Sequence, residues 1–205
     1  VMASSYRVNC KMCRREGISV CGRAKCAAKR RQSPPGVHGP NGYGKMTPFA
    51  QQLREKQKVK RTYGMRERQF HHYYEEAIAS KGNTGEILSQ FLELRLDALL
   101  VRSGFALTHS QARQWVNHGH ITVNGKRVDI PSYRLKVGEI VGIKRDGSSA
   151  LPKGIESVIT TKKGKSPEWM VVDDTKWEIT IVRVPTTQEL PSQFNMRSIV
   201  EFYSR

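Results

Sequence analysis

Negative charge is scarce in this sequence. Asp and Glu total 18 against 35 Lys and Arg, a formal net charge of +17 over 205 residues. A domain does not need that imbalance to fold; it raises self-repulsion and attracts polyanions. Nucleic acid is the first candidate partner, because phosphate contacts supply most sequence-independent affinity. An anionic membrane and an acidic protein surface rank behind it. Long apolar runs are missing too: no stretch of about 18 apolar residues exists to form a spanning helix. The first residues hold no apolar h-region and carry Arg7, Lys11, Arg14 and Arg15, which does not read as a secretory signal. No P-loop, G-x-S-x-G or His-based metal motif is present. Asp173-Asp174, the close acidic pair near the end, reads as a turn before the last strands rather than a catalytic dyad. The expectation is a binding protein and not an enzyme.

Cysteines are few and confined to one place. Cys10, Cys13, Cys21 and Cys26 follow the spacing C-x2-C-x7-C-x4-C. Without a secretory signal, grouped cysteines read as metal ligands in a reducing compartment. A structural zinc site takes four such ligands in a tetrahedron, and the neighbouring Lys11, Arg14, Arg15, Arg23 and Lys25 would stabilise the thiolates. Free thiols, disulfides and an iron–sulfur cluster on the same four thiolates stay open as alternatives. His38 is a stray candidate ligand. A segment this short and polar needs a staple to fold, so the role would be structural.

The chain divides by composition. Residues 1–47 hold the cysteines and a Pro/Gly-rich stretch, Ser33 to Gly42, that is either an ordered loop against a partner or a linker. Thr47-Pro48 is a helix start, Thr as N-cap and Pro at the first position. The spacing predicts helices over 49–63, 65–81 and 85–102, the second with Phe70, Tyr74, Ala77 and Ile78 on its apolar face. His71 and Tyr73 fall outside that face and are open to stack on bases. A short helix follows over 108–118. Asn124-Gly125 between Ile121/Val123 and Val128/Ile130 predicts a hairpin, because both turn positions need positive φ. Strands are expected over 139–143, 169–172 and 178–184, a loop over 145–165 and a last helix over 196–203. The fold class is α+β.

Two segments point to RNA. Between Arg54 and Arg68, Lys and Arg hold seven of fifteen positions against two acids. Arg54, Lys58 and Arg61 share one helix face at i, i+4 and i+7, a stripe suited to a phosphate backbone. The bland alternative is a solvated face. In the later helix, Ser110, Arg113, Gln114 and Asn117 form one polar face, while Leu107, Ala112, Trp115 and Val116 can enter a core. The hairpin behind it bears Lys126 and Arg127. Such a platform suits the shape and 2′-hydroxyls of a folded RNA.

These residues also carry a resemblance. Leu94-Arg95-Leu96-Asp97, Ser103-Gly104-Phe105, Ser110 to Gln114 and His118 to Gly125 resemble the S4 RNA-binding domain, which also occurs in RNA-modifying enzymes. QQLREKQKVKRTYG at 51–64, ERQF at 67–70, KGNTGE at 81–86 and IVEFYSR at 199–205 resemble the bacterial-type ribosomal protein S4 family over nearly the full length. CKMCRREG at 10–17 and PPGVHG at 34–39 resemble its cysteine-bearing, zinc-binding subgroup, although the gap between Cys13 and Cys21 is shorter than in that subgroup and 145–165 is shorter than usual. The resemblance implies a cysteine-bearing extension over 1–47, a helical domain over 48–93 and 160–205, and an S4 domain inserted over 94–159. It implies binding to a multi-helix junction in the 5′ domain of small-subunit (16S-type) rRNA, early in assembly. Contact with ribosomal protein S5 and other small-subunit proteins, a place at the mRNA entry and an effect on decoding accuracy are implied as well, in a cytoplasmic or organellar ribosome. The residues expected to meet RNA are Arg14, Arg15, Arg30, Arg31, His38, Arg54, Lys56, Lys58, Lys60, Arg61, Tyr63, Arg68, Gln69, Arg95, Ser110, Arg113, Gln114, Asn117, His118, His120, Asn124, Lys126, Arg127, Tyr133 and Arg134. A catalytic reading would need a further domain, and the roughly 60 residues beyond the S4 segment are small for one.

Overall fold

The computed structural model describes residues 8–42, 45–144 and 166–204. The expected loop over 145–165 and the expected boundary at 159/160 lie outside them. The chain forms two compact units, residues 1–89 with 191–205, and residues 90–190.

The first unit is helical. Helix α1 (Cys10–Glu16) starts where Asn9 accepts a hydrogen bond from the Met12 N–H at 3.0 Å, and stops at Gly17, whose φ of 72° is cheap only without a Cβ. A single turn, α2 (Ala27–Arg30), and a 3₁₀ turn at Gly39–Asn41 follow. Helix α3 (Pro48–Thr62) begins as expected, the Thr47 hydroxyl accepting from the Ala50 N–H. Helix α4 (Glu67–Ala79) and the start of α5 (Thr84–Glu93) come next, and the last helix, α8 (Met196–Tyr203), packs back along α3. Its Tyr203 ring sits 4.6 Å from Tyr74 and 6.2 Å from Phe70, centroid to centroid.

Two expectations for α4 need correction. Tyr73 is buried with Phe70, Tyr74 and Ala77, whereas Ile78 is 55 % exposed. At about 100° per residue the stripe is centred near Ala77 and Phe70. Tyr73 then lies about 50° from its centre and Ile78 about 90°, so the aromatic ring joins the core and the isoleucine faces out.

The second unit holds α6 (Leu96–Arg102), α7 (His109–Asn117) and five antiparallel strands: β1 (Ile121–Val123), β2 (Lys126–Arg127), β3 (Ile140–Ile143), β4 (Met170–Asp173) and β5 (Glu178–Ile181), in the order β2-β1-β3-β5-β4. Strand alternation turns Ile121, Val123, Val141, Ile143, Ile179 and Ile181 onto the two helices, with Leu96, Leu99, Leu100, Ala112 and Val116 opposite. Asn124 (φ 49°) and Gly125 (φ 77°) make the hairpin turn.

The single helix expected over 85–102 is two. It breaks at Leu94-Arg95, where Arg95 is extended and its neighbours pair with another segment: Leu96 N–H to Tyr133 O and Leu135 N–H to Leu94 O, both 2.9 Å. Helical spacing continues across the break, so only this pairing reveals it. The second hairpin arm ends at Arg127, leaving Ile130 exposed. Strand β5 stops at Ile181 instead of Val184, ahead of Pro185, and Trp169 lies just before β4.

Candidate RNA interface and cysteine cluster

Much of the basic stretch of α3 is turned inward. Arg54 and Arg61 both reach Glu16 of α1, Arg54 at 3.4 Å, and the Glu16 side chain is fully buried between them. Burial pushes its carboxyl up, opposed by Arg61 and Arg54. Lys58 pairs with Glu55. Lys56 and Lys60 are buried and donate to the two oxygens of Glu67 at 2.5 and 2.6 Å, with the Tyr203 hydroxyl donating at 2.7 Å. Burial works against that carboxylate, yet the lysines outweigh it and hold Glu67 at about 2. Lys56 also lies 4.3 Å from the Phe202 ring centroid, a cation–π contact. Tyr63 is buried against Phe194. Arg68 is exposed at the start of α4, and Gln69 is half-buried beside it.

A second inward network sits in the other unit. Arg95, 1 % exposed, grips Asp97 with two hydrogen bonds of 2.9 and 2.8 Å, and Arg113 adds one of 2.7 Å. Asp97 is fully buried; desolvation alone would raise its pKa, and the two guanidiniums bring it below the ordinary value. Nearby, Glu93 holds Arg102 by 2.6 and 2.8 Å bonds. Burial pushes His109 down to about 4, against the pull of Asp97 and Glu93. Arg134 lies over the Phe91 ring at 4.0 Å, and the half-buried Tyr133 donates to Glu139 at 3.1 Å. Glu16, Glu67, Glu93 and Asp97 were not among the expected functional residues. One signal was available for Asp97: an acid inside the apolar run Leu96 to Leu100 needs a buried cation beside it.

Other expected residues face outward in both units. On α7, Ser110, Gln114 and Asn117 are exposed on one face, while Arg113 leaves that face to hold Asp97. His118, Lys126 and Arg127 are exposed next to them, His120 is half-buried, and the two His rings lie 6.0 Å apart. The Arg127 guanidinium crosses Gly119 so closely that a Cβ there would meet its Nε at 2.1 Å. Asn124 is exposed, but its Oδ1 accepts from the Ile140 N–H at 2.9 Å and fixes the turn. In the first unit, Arg15, Arg30, Arg31 and His38 are exposed on the extension. Arg14 is half-buried and clamps the Pro/Gly stretch, donating to Ser33 O at 3.0 Å and Pro34 O at 2.9 Å. That stretch is therefore an ordered loop.

The four cysteines are free thiols. The thiols of Cys13, Cys21 and Cys26 lie within 4.8 Å of one another and can hold a metal ion. Val8, Val20 and Ala28 pack around them as a small core. Cys10 stands outside the trio, at the first position of α1, one helical turn before Cys13. Burial, first among several causes, pushes Cys13 up to about 12. Burial also acts to raise Cys26, but bonds from Ser19, the Ala28 N–H and the other two thiols bring it to about 7. Three convergent sulfurs, one of them readily ionised, match the donor set of a thiolate metal site.

Residues 6–93 match the description "Ribosomal protein S4/S9 N-terminal domain" and residues 94–141 the description "S4 domain". The chain is 45 % identical over 202 residues to "Small ribosomal subunit protein uS4" of Thermodesulfovibrio yellowstonii, covering 96 % of both chains. Proteins of the same name from Desulfitobacterium hafniense and Thermus thermophilus are 42 % and 41 % identical, again over 96 % of both chains. Among the described residues no helix is long and apolar enough to cross a membrane. The chain belongs to the ribosomal protein S4 family, structural proteins of the small ribosomal subunit and not enzymes.

Proposed function

We propose that this protein binds small-subunit rRNA directly, through the exposed cations of the extension and the outer face of α7 with its hairpin. The observation that carries this is the sorting of charge. The buried carboxylates Glu16 and Asp97 take up inward cations, while Arg15, Arg30, Arg31, Lys126 and Arg127 face solvent. A cationic surface beside amides and hydroxyls suits phosphates and 2′-hydroxyls. Its target is a multi-helix junction of the 5′ domain, where it nucleates the body of the subunit, with ribosomal protein S5 as a neighbour. A place at the mRNA entry and an influence on accuracy complete the role. By role the chain divides into an extension over 1–47, a helical domain over 48–93 and 160–205 whose strands β4 and β5 join the sheet of the second unit, and an RNA-binding insertion over 94–159. Crosslinking of the protein to cellular RNA tests the reading. Small-subunit rRNA is the expected product; recovery mainly of tRNA or mRNA sinks it. Each neutralised phosphate adds roughly −0.7 to −0.9 to the slope of log affinity on log salt, so a slope shallower than about −3 contradicts an extensive phosphate interface.

The cysteine cluster supports a second element, structural zinc held by Cys13, Cys21 and Cys26 with Cys10 as the fourth thiolate. Zinc would supply cross-linking of α1 to the segment before α2 and no reactivity. Elemental analysis of the purified protein is expected to return one zinc per chain; iron in its place overturns the assignment.

A further inference from the structure

The ordered Pro/Gly loop does more than connect. Arg14 fastens Ser33 and Pro34 to α1, and the turn returns so closely that a Cβ on Gly39 would meet the Pro34 carbonyl oxygen at 2.0 Å. The loop thus becomes one fixed wall, and the N-terminal turns of α3 form the other. Between them lies a cavity of about 390 Å³. Most ligand pockets span roughly 300–1,000 Å³, so this one is sized for a single small unit and not a duplex.

Its lining has two characters. Arg15 and Lys45 bring positive charge with His38 beside them, Arg54 borders the cavity while paired to Glu16, and Pro34, Pro35, Met46 and Leu53 bring apolar surface. Among the described residues no carboxylate lines it. Two other clefts among the described residues differ on that point: one carries Glu67 and Glu75, the other Glu168 and Glu189. Helix α3 is fifteen residues long, has no acid in its first turn and brings Ala50 to the cavity, so its positive end adds to the field. An apolar wall beside a cationic rim matches a nucleotide, which is a flat base joined to a phosphate. A bare phosphate would not use the apolar wall, and an apolar peptide would not use the rim.

We propose that this cavity takes one unpaired, extrahelical nucleotide of the bound RNA. The base lies against the proline and methionine wall, with His38 placed to stack, and the phosphate meets Arg15 and Lys45. The inference rests on the proposed RNA binding, and adds a single-nucleotide subsite to a surface that otherwise reads shape and charge.

The test uses the full chain and two RNA hairpins of equal length, one fully paired and one with a single bulged nucleotide. Base stacking against protein is worth enough to give a preference of about tenfold or more for the bulged hairpin. His38→Ala combined with Lys45→Ala is expected to abolish that preference, weakening the bulged hairpin about tenfold more than the paired one. Lys126→Ala, in the other unit, is expected to weaken both hairpins equally and keep the preference. Equal affinity of the wild-type chain for the two hairpins, or a preference that survives the double substitution, overturns the subsite while leaving rRNA binding intact. Loss of rRNA crosslinking would remove the broader reading instead. A free nucleoside monophosphate binding as tightly as the bulged hairpin would also overturn it, by showing a mononucleotide site and not an RNA subsite.

Discussion

Helix α3 and the extension before it are both dense in Lys and Arg, yet they spend that charge in opposite ways. On α3, Arg54 and Arg61 close on Glu16, and Lys56 and Lys60 close on Glu67. Glu16 is the only acid of residues 1–47, and α3 takes it, so the extension holds no second carboxylate for Arg15, Arg30 and Arg31. The same division recurs in the second unit, where Arg95 and Arg113 turn to Asp97 while Lys126 and Arg127 stay outside. Charge density along a chain therefore does not identify a binding face. A buried carboxylate in the neighbouring element decides which cations serve the fold and which are left for a polyanion.

The comparison is sharpest at Asp97, where the largest effect is expected. Asp97→Asn removes the negative charge but keeps the shape, leaving Arg95 almost wholly buried beside a neutral amide. Breaking a buried pair by removing one partner typically costs about 3–5 kcal/mol. Urea unfolding should report a loss of that order, a large share of the roughly 5–15 kcal/mol available to a domain. A loss under about 1 kcal/mol would mean that the inward cations do not depend on their carboxylates.

Titration offers an intermediate effect on the same network. Burial first, and then the nearby Arg113 and Arg102, oppose protonation of His109, which falls to about 4 from an ordinary 6.5. The folded state thus binds fewer protons than the unfolded one between those values. Stability is present in full above about pH 6.5 and is lost as pH falls toward 4. Roughly 1–3 kcal/mol is at stake. Thermal unfolding measured across that window should show the decline, and His109→Gln should flatten it. A flat profile in the parent chain would place His109 in water and not inside the network.

How much of this was legible in the sequence follows from whether the cause was local. The hairpin was, because Asn124-Gly125 meets a backbone demand at those two positions. The start of α3 was, because Thr47 caps its own helix. The break at Leu94-Arg95 was not: its cause is pairing with Tyr133 and Leu135, about forty residues away, and helical spacing runs on across it. The cysteine grouping was legible as a motif, but that three thiols converge while Cys10 stands apart is a matter of packing. The polar face of α7 was legible except at Arg113, where an acid sixteen residues earlier takes the side chain. Residue type and spacing show where cations and polar groups are dense, and tertiary carboxylates set which of them turn inward.

The smallest effect on stability, and the cleanest separation of the two classes, is expected at Lys126. It is exposed on β2 at the sheet edge, and surface substitutions away from special features stay within about ±0.5 kcal/mol. Lys126→Ala should therefore leave urea unfolding unchanged. Its effect belongs in RNA binding: the salt slope should become shallower by roughly 0.7–0.9, the share of one phosphate contact. Lys60→Ala makes the opposing case, because Lys60 is buried against Glu67. There stability should fall and the salt slope should hold. If both substitutions instead lowered the slope alike, the inward lysine would have to exchange Glu67 for phosphate on binding, and the division between structural and RNA-facing cations would be one that the RNA itself redraws.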